Sequence, residues 1–256
     1  MQEKAVLYER QGKIGMIKFN RPHRLNAINR QLAEGLNEAL IWAKNEAEVQ
    51  VVILTGEGRA FCSGQDLKES AAGQDFLTWV KEAEGLQDNE RNMLGLGKPI
   101  IAAVRGYALG GGCEFAMGCD IRIAAEDAKF GFPETGVGLT VTGAGTKLLS
   151  QLVGLGKAKE IVLTGEFIDA KEAFRLGLVN KVVPGERLMD EALEMARKIG
   201  ERSPLAIKLS RIAIDQGLHA SFEQILELEA NHLLVCIGAQ NQKEFIDKKL
   251  AAMKKD

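Results

Sequence analysis

Gly106-Tyr-Ala-Leu-Gly-Gly-Gly-Cys-Glu114-Phe-Ala-Met-Gly-Cys-Asp120 is the stretch from which the rest of this chain is read. Gly110, Gly111 and Gly112 run into small apolar residues that carry one carboxylate, Glu114. A glycine-rich turn opening a helix exposes backbone N–H groups, because the first helical turn has no internal acceptors for them. Those groups can hold an oxyanion. Glycine is costly inside a helix, so three in a row need a backbone reason. Close approach of a ligand, tight packing on a neighbouring strand, or both would supply it. Glu114 lies among Gly, Cys, Phe, Ala and Met, where burial opposes ionisation. Pairing with a buried arginine such as Arg105 or Arg122 is the alternative. Further on, Phe130-Gly-Phe-Pro-Glu134 brings a second carboxylate on a loop, where a solvated or capping role is equally open. Two carboxylates near such a hole can move a proton and a water next to a thioester or similar carbonyl.

Working outward, Val51-Val-Ile-Leu-Thr55 and Ile100-Ile-Ala-Ala-Val104 are apolar runs of buried-strand type. The first leads into Ala60-Phe-Cys-Ser-Gly64-Gln-Asp-Leu-Lys68, a turn that can aim a backbone N–H at a ligand; an ordinary loop with Asp66 as a helix cap is the competing reading. Strands are expected over 4–8 and 13–19, joined at Gln11-Gly12. Residues 29–46 carry Leu32, Leu36, Ala39, Leu40 and Ala43 at helical spacing, with Asn29 as N-cap. A polar helix over 66–96 is expected to break at Gly73 and Gly85. A helix should start near Gly111, a strand should follow over 119–124, and 131–142 should be loop. Helices are then expected over 143–153, 156–164, 170–175, 186–200, 204–217 and 221–250, with a short strand at 178–183. The pattern suggests an α/β core with a helical C-terminal extension. Phe222, Ile225, Leu226, Leu228, Leu233, Leu234 and Val235 cover much of that extension. It should bury one side on the core and another on a partner subunit.

Composition narrows the function classes. Basic and acidic residues number 33 and 35, so no overall positive field recruits nucleic acid. Cys62, Cys113, Cys119 and Cys236 show no CxxC spacing, which suggests a reducing compartment, and the three histidines show no metal-ligand spacing. No apolar run approaches the ~20 residues of a membrane span, and the N-terminus has no leader pattern. The expected compartment is cytoplasmic; a presequence already removed would leave the same N-terminus. The glycines at 106 and 110–112 do not match GxGxxG, and Gly97-Lys98, Gly156-Lys157 and Gly143-Ala-Gly145-Thr-Lys147 do not match a phosphate loop. Lys248, Lys249, Lys254 and Lys255 read as a solvated helix face.

Taken together these segments resemble the crotonase, or enoyl-CoA hydratase/isomerase, superfamily over nearly the whole chain. Asn20-Arg-Pro-His-Arg-Leu-Asn-Ala27 is similar to the family's early CoA-meeting loop, and Phe61-Cys-Ser-Gly-Gln-Asp-Leu67 to its first oxyanion loop. Lys98 through Glu114 is similar to its second oxyanion loop and helix, and Phe130 through Glu134 to its second acid loop. Leu163-Thr-Gly165, Ala170, Ala173, Gly177-Leu-Val-Asn180 and Val183 resemble the region after the core. The resemblance implies an α/β fold: a crotonase-type (ClpP-like) spiral of ββα units forming two sheets, over residues 1–195. A helical trimerisation region would occupy 196–256, giving a homotrimer or dimer of trimers. It implies an oxyanion hole at the N–H groups of Gln65 and Gly111, with Glu114 and Glu134 as the catalytic acids. It places Arg24, Leu25, Ser63, Gln65, Asp66, Leu67, Lys68, Gly110, Thr142, Phe245 and Lys248 against the CoA ester, the last two lent across a subunit interface. No metal and no separate cofactor are implied, since coenzyme A is part of the acyl-CoA thioester substrate.

The implied reaction is syn addition of water to a 2-enoyl-CoA. Glu114 would activate the water and Glu134 protonate carbon 2, a division guided by the resemblance. An isomerase shuttling one proton between carbons 2 and 4, and a CoA-ester-binding scaffold without turnover, are the other readings. Two carboxylates favour hydration over isomerisation, and binding alone needs neither. One departure stands out. Val141, Thr142 and Leu148 occupy positions where the family commonly has proline, glycine and arginine, which leaves room for a branched or cyclic acyl group.

Overall fold

The computed structural model describes residues 4–70, 73, 75–239 and 242–253. Strands β1 (Val6–Gln11) and β2 (Ile14–Phe19) form an antiparallel hairpin from Val6↔Phe19 to Gln11↔Ile14. Gly12 turns it at φ +60°. So short a turn lets pairing run right up to it, and β1 therefore extends to Gln11 rather than ending at residue 8.

Beyond β2 the sheet is parallel. β3 (Val51–Gly56), β4 (Ile100–Val104), β6 (Ile121–Ala125) and β9 (Lys181–Val183) complete a six-stranded sheet in the order β1-β2-β3-β4-β6-β9. Parallel strands are covered on both faces, so β4 is apolar throughout and β3 is apolar up to Thr55, whose hydroxyl donates to the Ala103 carbonyl. Val52 and Leu54 join Leu32, Leu36 and Leu40 of helix α1 (Arg30–Asn45) in one core cluster. Val51 and Ile53 face the other way, into a second cluster. Asn29 caps α1 by accepting the Leu32 N–H at 3.0 Å.

Helices α2 (Leu67–Ser70) and α3 (Phe76–Leu94) follow β3. The break expected at Gly85 is absent: α3 runs through it, and a Cβ there would meet nothing. One glycine costs a helix about 1 kcal/mol without ending it. The second sheet implied by the resemblance is built from β5 (Tyr107–Leu109), β7 (Lys129–Gly131) and β8 (Ile168–Asp169), three strands that the residue pattern does not announce. Strands of two or three residues show no alternation that could announce them. Between β5 and β6 lies α4 (Gly111–Gly118).

The 131–142 segment contains a 3-10 turn at Pro133–Val137. After it come α5 (Gly145–Val153), α6 (Leu155–Thr164), α7 (Ala170–Arg175), α8 (Leu188–Gly200), α9 (Pro204–Gly217), α10 (Phe222–Gly238) and α11 (Gln242–Met253). Leu188, Ala192 and Ala196 of α8 cover the second face of the large sheet. The extension departs from expectation on one point: α10 buries no residue on the core and instead lies along α9. Leu226, Leu233, Leu234 and Phe222 face outward, Phe222 at 73% exposure. Lys254 and Lys255 lie outside the described residues.

Candidate active site

The turn between β5 and α4 builds the centre of the site. Gly110 precedes the helix at φ +52°, ψ −127°, a conformation that only glycine adopts readily. A Cβ on it would stand 2.6 Å from Glu134 Oε1. A Cβ on Gly112 would overlap the carbonyl oxygen of Cys62. The triple glycine thus serves both purposes left open by the sequence: Gly110 admits a carboxylate, and Gly112 lets α4 close onto the 62–65 segment.

Glu114, one turn into α4, is 3% exposed. Neither candidate arginine pairs with it. Arg122 donates to the carbonyls of Leu178, Met117 and Cys119, and Arg105 to that of Gly185. Instead Glu114 Oε1 accepts the N–H groups of Gly143 at 2.6 Å and Gly145 at 2.9 Å. Side chains at these positions would crowd the carboxylate, since their Cβ atoms would fall 3.0 and 2.8 Å from it. Burial raises the affinity of Glu114 for its proton, and these peptide N–H bonds oppose that rise. Gly143-Ala-Gly145 was visible in the sequence, but only as a failed phosphate loop; it is a cradle for a carboxylate.

Glu134 rides on the 3-10 turn and is half-buried. Its Oε2 is buried and has no hydrogen-bond partner among the described residues. Burial pushes its carboxyl up to about 7, its own backbone N–H opposes the shift, and the charge of Glu114 adds to it.

The N–H groups of Gln65 and Gly111 complete the arrangement. Ile28 bridges the 62–65 segment by donating to Gly64 O at 2.8 Å and accepting from Asp66 at 2.9 Å. In a parallel bridge the intervening residue points its own N–H away from that partner. Gly111 is the first helical residue, so its N–H has no acceptor within α4. One cavity of about 240 Å³ is lined by Ser63, Gln65, Leu67, Gly110, Gly111, Glu114, Glu134 and Thr142 together. Ile28, Val137, Leu139 and Thr140 also line the cavity, and helix α3 supplies one further wall, through Trp79, Glu82, Ala83 and Leu86. The sequence reading found none of these four; a polar helix gave no sign of which face would meet the site.

Arg24, Asp66 and Lys68 line a neighbouring cleft of about 800 Å³ with Arg21, His23 and Arg30. Asp66, the residue before α2, is an ion-pair partner there, with Arg21 Nη2 at 3.0 Å from its Oδ2. Leu25 lies in neither lining; it holds φ +53° at the end of the 3-10 turn Pro22–Arg24, and its carbonyl accepts the Ser63 N–H at 3.1 Å. Asn26, missed by the sequence reading, pins this loop. Fully buried at φ +54°, it donates to the carbonyls of Glu57 and Ala60 and accepts from the Arg21 N–H. Phe245 and Lys248 stand apart from the cavity on α11, with the ammonium 5.5 Å from the ring centroid.

The enoyl-CoA hydratase/isomerase family pattern matches residues 9–250. The chain belongs to this family. It is 41% identical to a short-chain-enoyl-CoA hydratase of Clostridium acetobutylicum over 97% of both chains. It is 36% identical to a crotonyl-CoA hydratase of Syntrophomonas wolfei over 98% of both. Among solved structures, an enoyl-CoA hydratase from Bacillus anthracis superposes with a TM-score of 0.93 at 35% identity, covering 97% of this chain and 96% of that one. The family's crotonase fold is therefore the fold of this chain. Among the described residues no group of side chains could hold a metal ion, and no helix is long and apolar enough to cross a membrane.

Proposed function

We propose that this member of the family is an enoyl-CoA hydratase acting on short-chain 2-enoyl-CoA thioesters. The observation that carries the reading is the pair Glu114 and Glu134 on one cavity with the N–H groups of Gln65 and Gly111. Water addition places negative charge on the thioester oxygen, and each well-aimed donor to such an oxyanion is worth ~2.7–4 kcal/mol. Two peptide N–H bonds hold Glu114 Oε1 and favour its anion, so Glu114 is the better base toward water. Glu134, with one oxygen lacking a donor and a carboxyl pushed up to about 7, is the better acid toward carbon 2. A water and a proton delivered from one face give syn addition.

The cavity of about 240 Å³ is small beside the ~300–1,000 Å³ of drug-sized sites, and supports a short acyl chain over a large branched or cyclic one. Thr142 on its wall would touch that chain. The cleft holding Arg24 and Lys68 has the charge to take CoA phosphates, beside Leu25, Ser63, Asp66 and Leu67. No separate cofactor is needed. The helical region over 196–256 would form a trimer or dimer of trimers, with Phe245 and Lys248 reaching the adenine end of CoA in a neighbouring subunit. The isomerase reading needs one carboxylate and leaves the second without a task.

Crotonyl-CoA tests the proposal directly. Loss of its ultraviolet absorbance, with water and deuterium added to the same face in deuterium oxide, is the expected result. Migration of a 3-enoyl double bond without hydration would favour the isomerase. Tight binding with no turnover would leave a scaffold.

A further inference from the structure

Gln65 has a second attachment. Its side-chain amide donates from Nε2 to Glu82 Oε2 at 2.9 Å, joining the 62–65 segment to α3. Glu82 lines the same cavity as Gln65, one turn from Trp79 and one from Leu86. Farther along α3, Gln87 Nε2 lies 3.4 Å from the carbonyl oxygen of Thr142, on the loop whose Gly143 N–H holds Glu114. One helix therefore touches both the segment carrying an oxyanion donor and the loop that holds the base.

We propose that Glu82 is a positioning residue: by holding the Gln65 side chain it fixes the aim of the Gln65 backbone N–H at the thioester oxygen. The inference rests on the reading of Gln65 as an oxyanion donor. The backbone on either side of Gln65 is already anchored, since Gly64 O accepts from Ile28 and Asp66 N–H donates to Ile28 O. The bond to Glu82 adds the side chain to that frame. It also keeps a primary amide turned to the wall, so that it does not compete for the substrate oxygen or the attacking water. A donor to a developing charge is useful only when its aim is fixed before the charge appears, and small misplacements of reacting groups are expensive in rate.

The test uses acetoacetyl-CoA, a four-carbon ester whose enolate absorbs in the near ultraviolet and carries negative charge on the oxygen in question. It is paired with kcat and KM for crotonyl-CoA. Wild type should raise the enolate fraction of bound acetoacetyl-CoA. Glu82→Leu should lower that fraction and kcat about tenfold, less than the ~10²–10³-fold cost of deleting a donor outright, with KM little changed. Glu82→Gln keeps an acceptor for Gln65 and should retain both. Gln65→Ala keeps the backbone N–H but cuts the tether, so it should match Glu82→Leu. The double variant should lose no more than either single one. Gln65→Ala also decides the matter if Glu82→Leu fails to fold. An enolate signal unchanged by cutting the tether overturns the proposal, as does equal loss in Glu82→Gln and Glu82→Leu. Wild type that binds acetoacetyl-CoA without any enolate signal overturns the oxyanion reading itself, and the proposal with it.

Discussion

Glu114 and Glu134 share a cavity but not an environment: two peptide N–H groups hold the first, and among the described residues none holds Oε2 of the second. Glu114→Gln and Glu134→Gln should each cut hydration of crotonyl-CoA at least ~10²-fold, the low end for general acid–base catalysis. The double variant should lose far less than the product, since in the proposed mechanism both residues act on one water and one proton. Near-normal turnover by Glu134→Gln alone would remove the two-carboxylate mechanism. The same residue makes stability depend on pH. Its carboxyl is pushed from 4.5 to about 7 on folding, so between those values the folded chain keeps a proton that the unfolded chain has released. Stability from this group therefore falls as pH rises from about 4.5 to 7, and the full cost is present above that. Calorimetry should find Glu134→Gln gaining Tm over wild type progressively across that window and by a constant amount above it; a pH-independent difference would refute the assignment. Glu90 is a third buried carboxyl, 4% exposed, with neither oxygen bonded among the described residues. Burial raises it well above the usual carboxylate range, and the charge of Glu114 adds to this. Glu90→Met should stabilise the protein by about 1–3 kcal/mol, the penalty of an unsatisfied buried polar group, read from urea unfolding at neutral pH.

At the scale of elements, the site is a meeting of turns held by backbone geometry. The loop ahead of α5 reaches Glu114 only because Gly143 and Gly145 have no side chains. Gly145→Ala would put a methyl group 2.8 Å from both Glu114 Oε1 and Val141 Cγ1. Its expected effect is a fall in kcat of about tenfold or more, from displacement of the carboxylate, with a stability loss of about 1–3 kcal/mol. Stopped-flow kinetics and urea unfolding on one sample separate the two; unchanged kcat would mean that the cradle does not position Glu114. These elements differ in how plainly the sequence announces them. α1 shows apolar residues at helical spacing and a capping asparagine, and β3 and β4 show continuous apolar runs. β5, β7 and β8 are too short for any period to appear, and Gly85 looks like a breaker although α3 passes through it.

The whole molecule leaves an apolar surface uncovered: Phe222, Leu233 and Leu234 of α10 are 73%, 61% and 64% exposed. Large apolar side chains left exposed along one helix point to an interaction site. Sedimentation should give a trimer or hexamer, and Leu234→Asp should shift it toward monomer; a wild-type monomer at micromolar concentration would refute the assembly. The sequence alone announced the longer elements, such as α1, β3 and β4, and the candidate chemistry-bearing residues, because apolar period, glycine runs and carboxylates in apolar surroundings are local properties of a chain. It also carried the family, since the order of its motifs extends over nearly the whole length. Only the tertiary structure decided what those residues touch. Arg122 is spent on carbonyls, Glu114 on a distant glycine pair, Asp66 on Arg21, and Gln65 on Glu82. Apart from the Arg122 bonds to Met117 and Cys119, these bonds join residues 17 to 56 positions apart in the chain. Such partners are chosen by how the sheet and helices pack, because a buried polar group must take whichever complementary group the fold brings within reach.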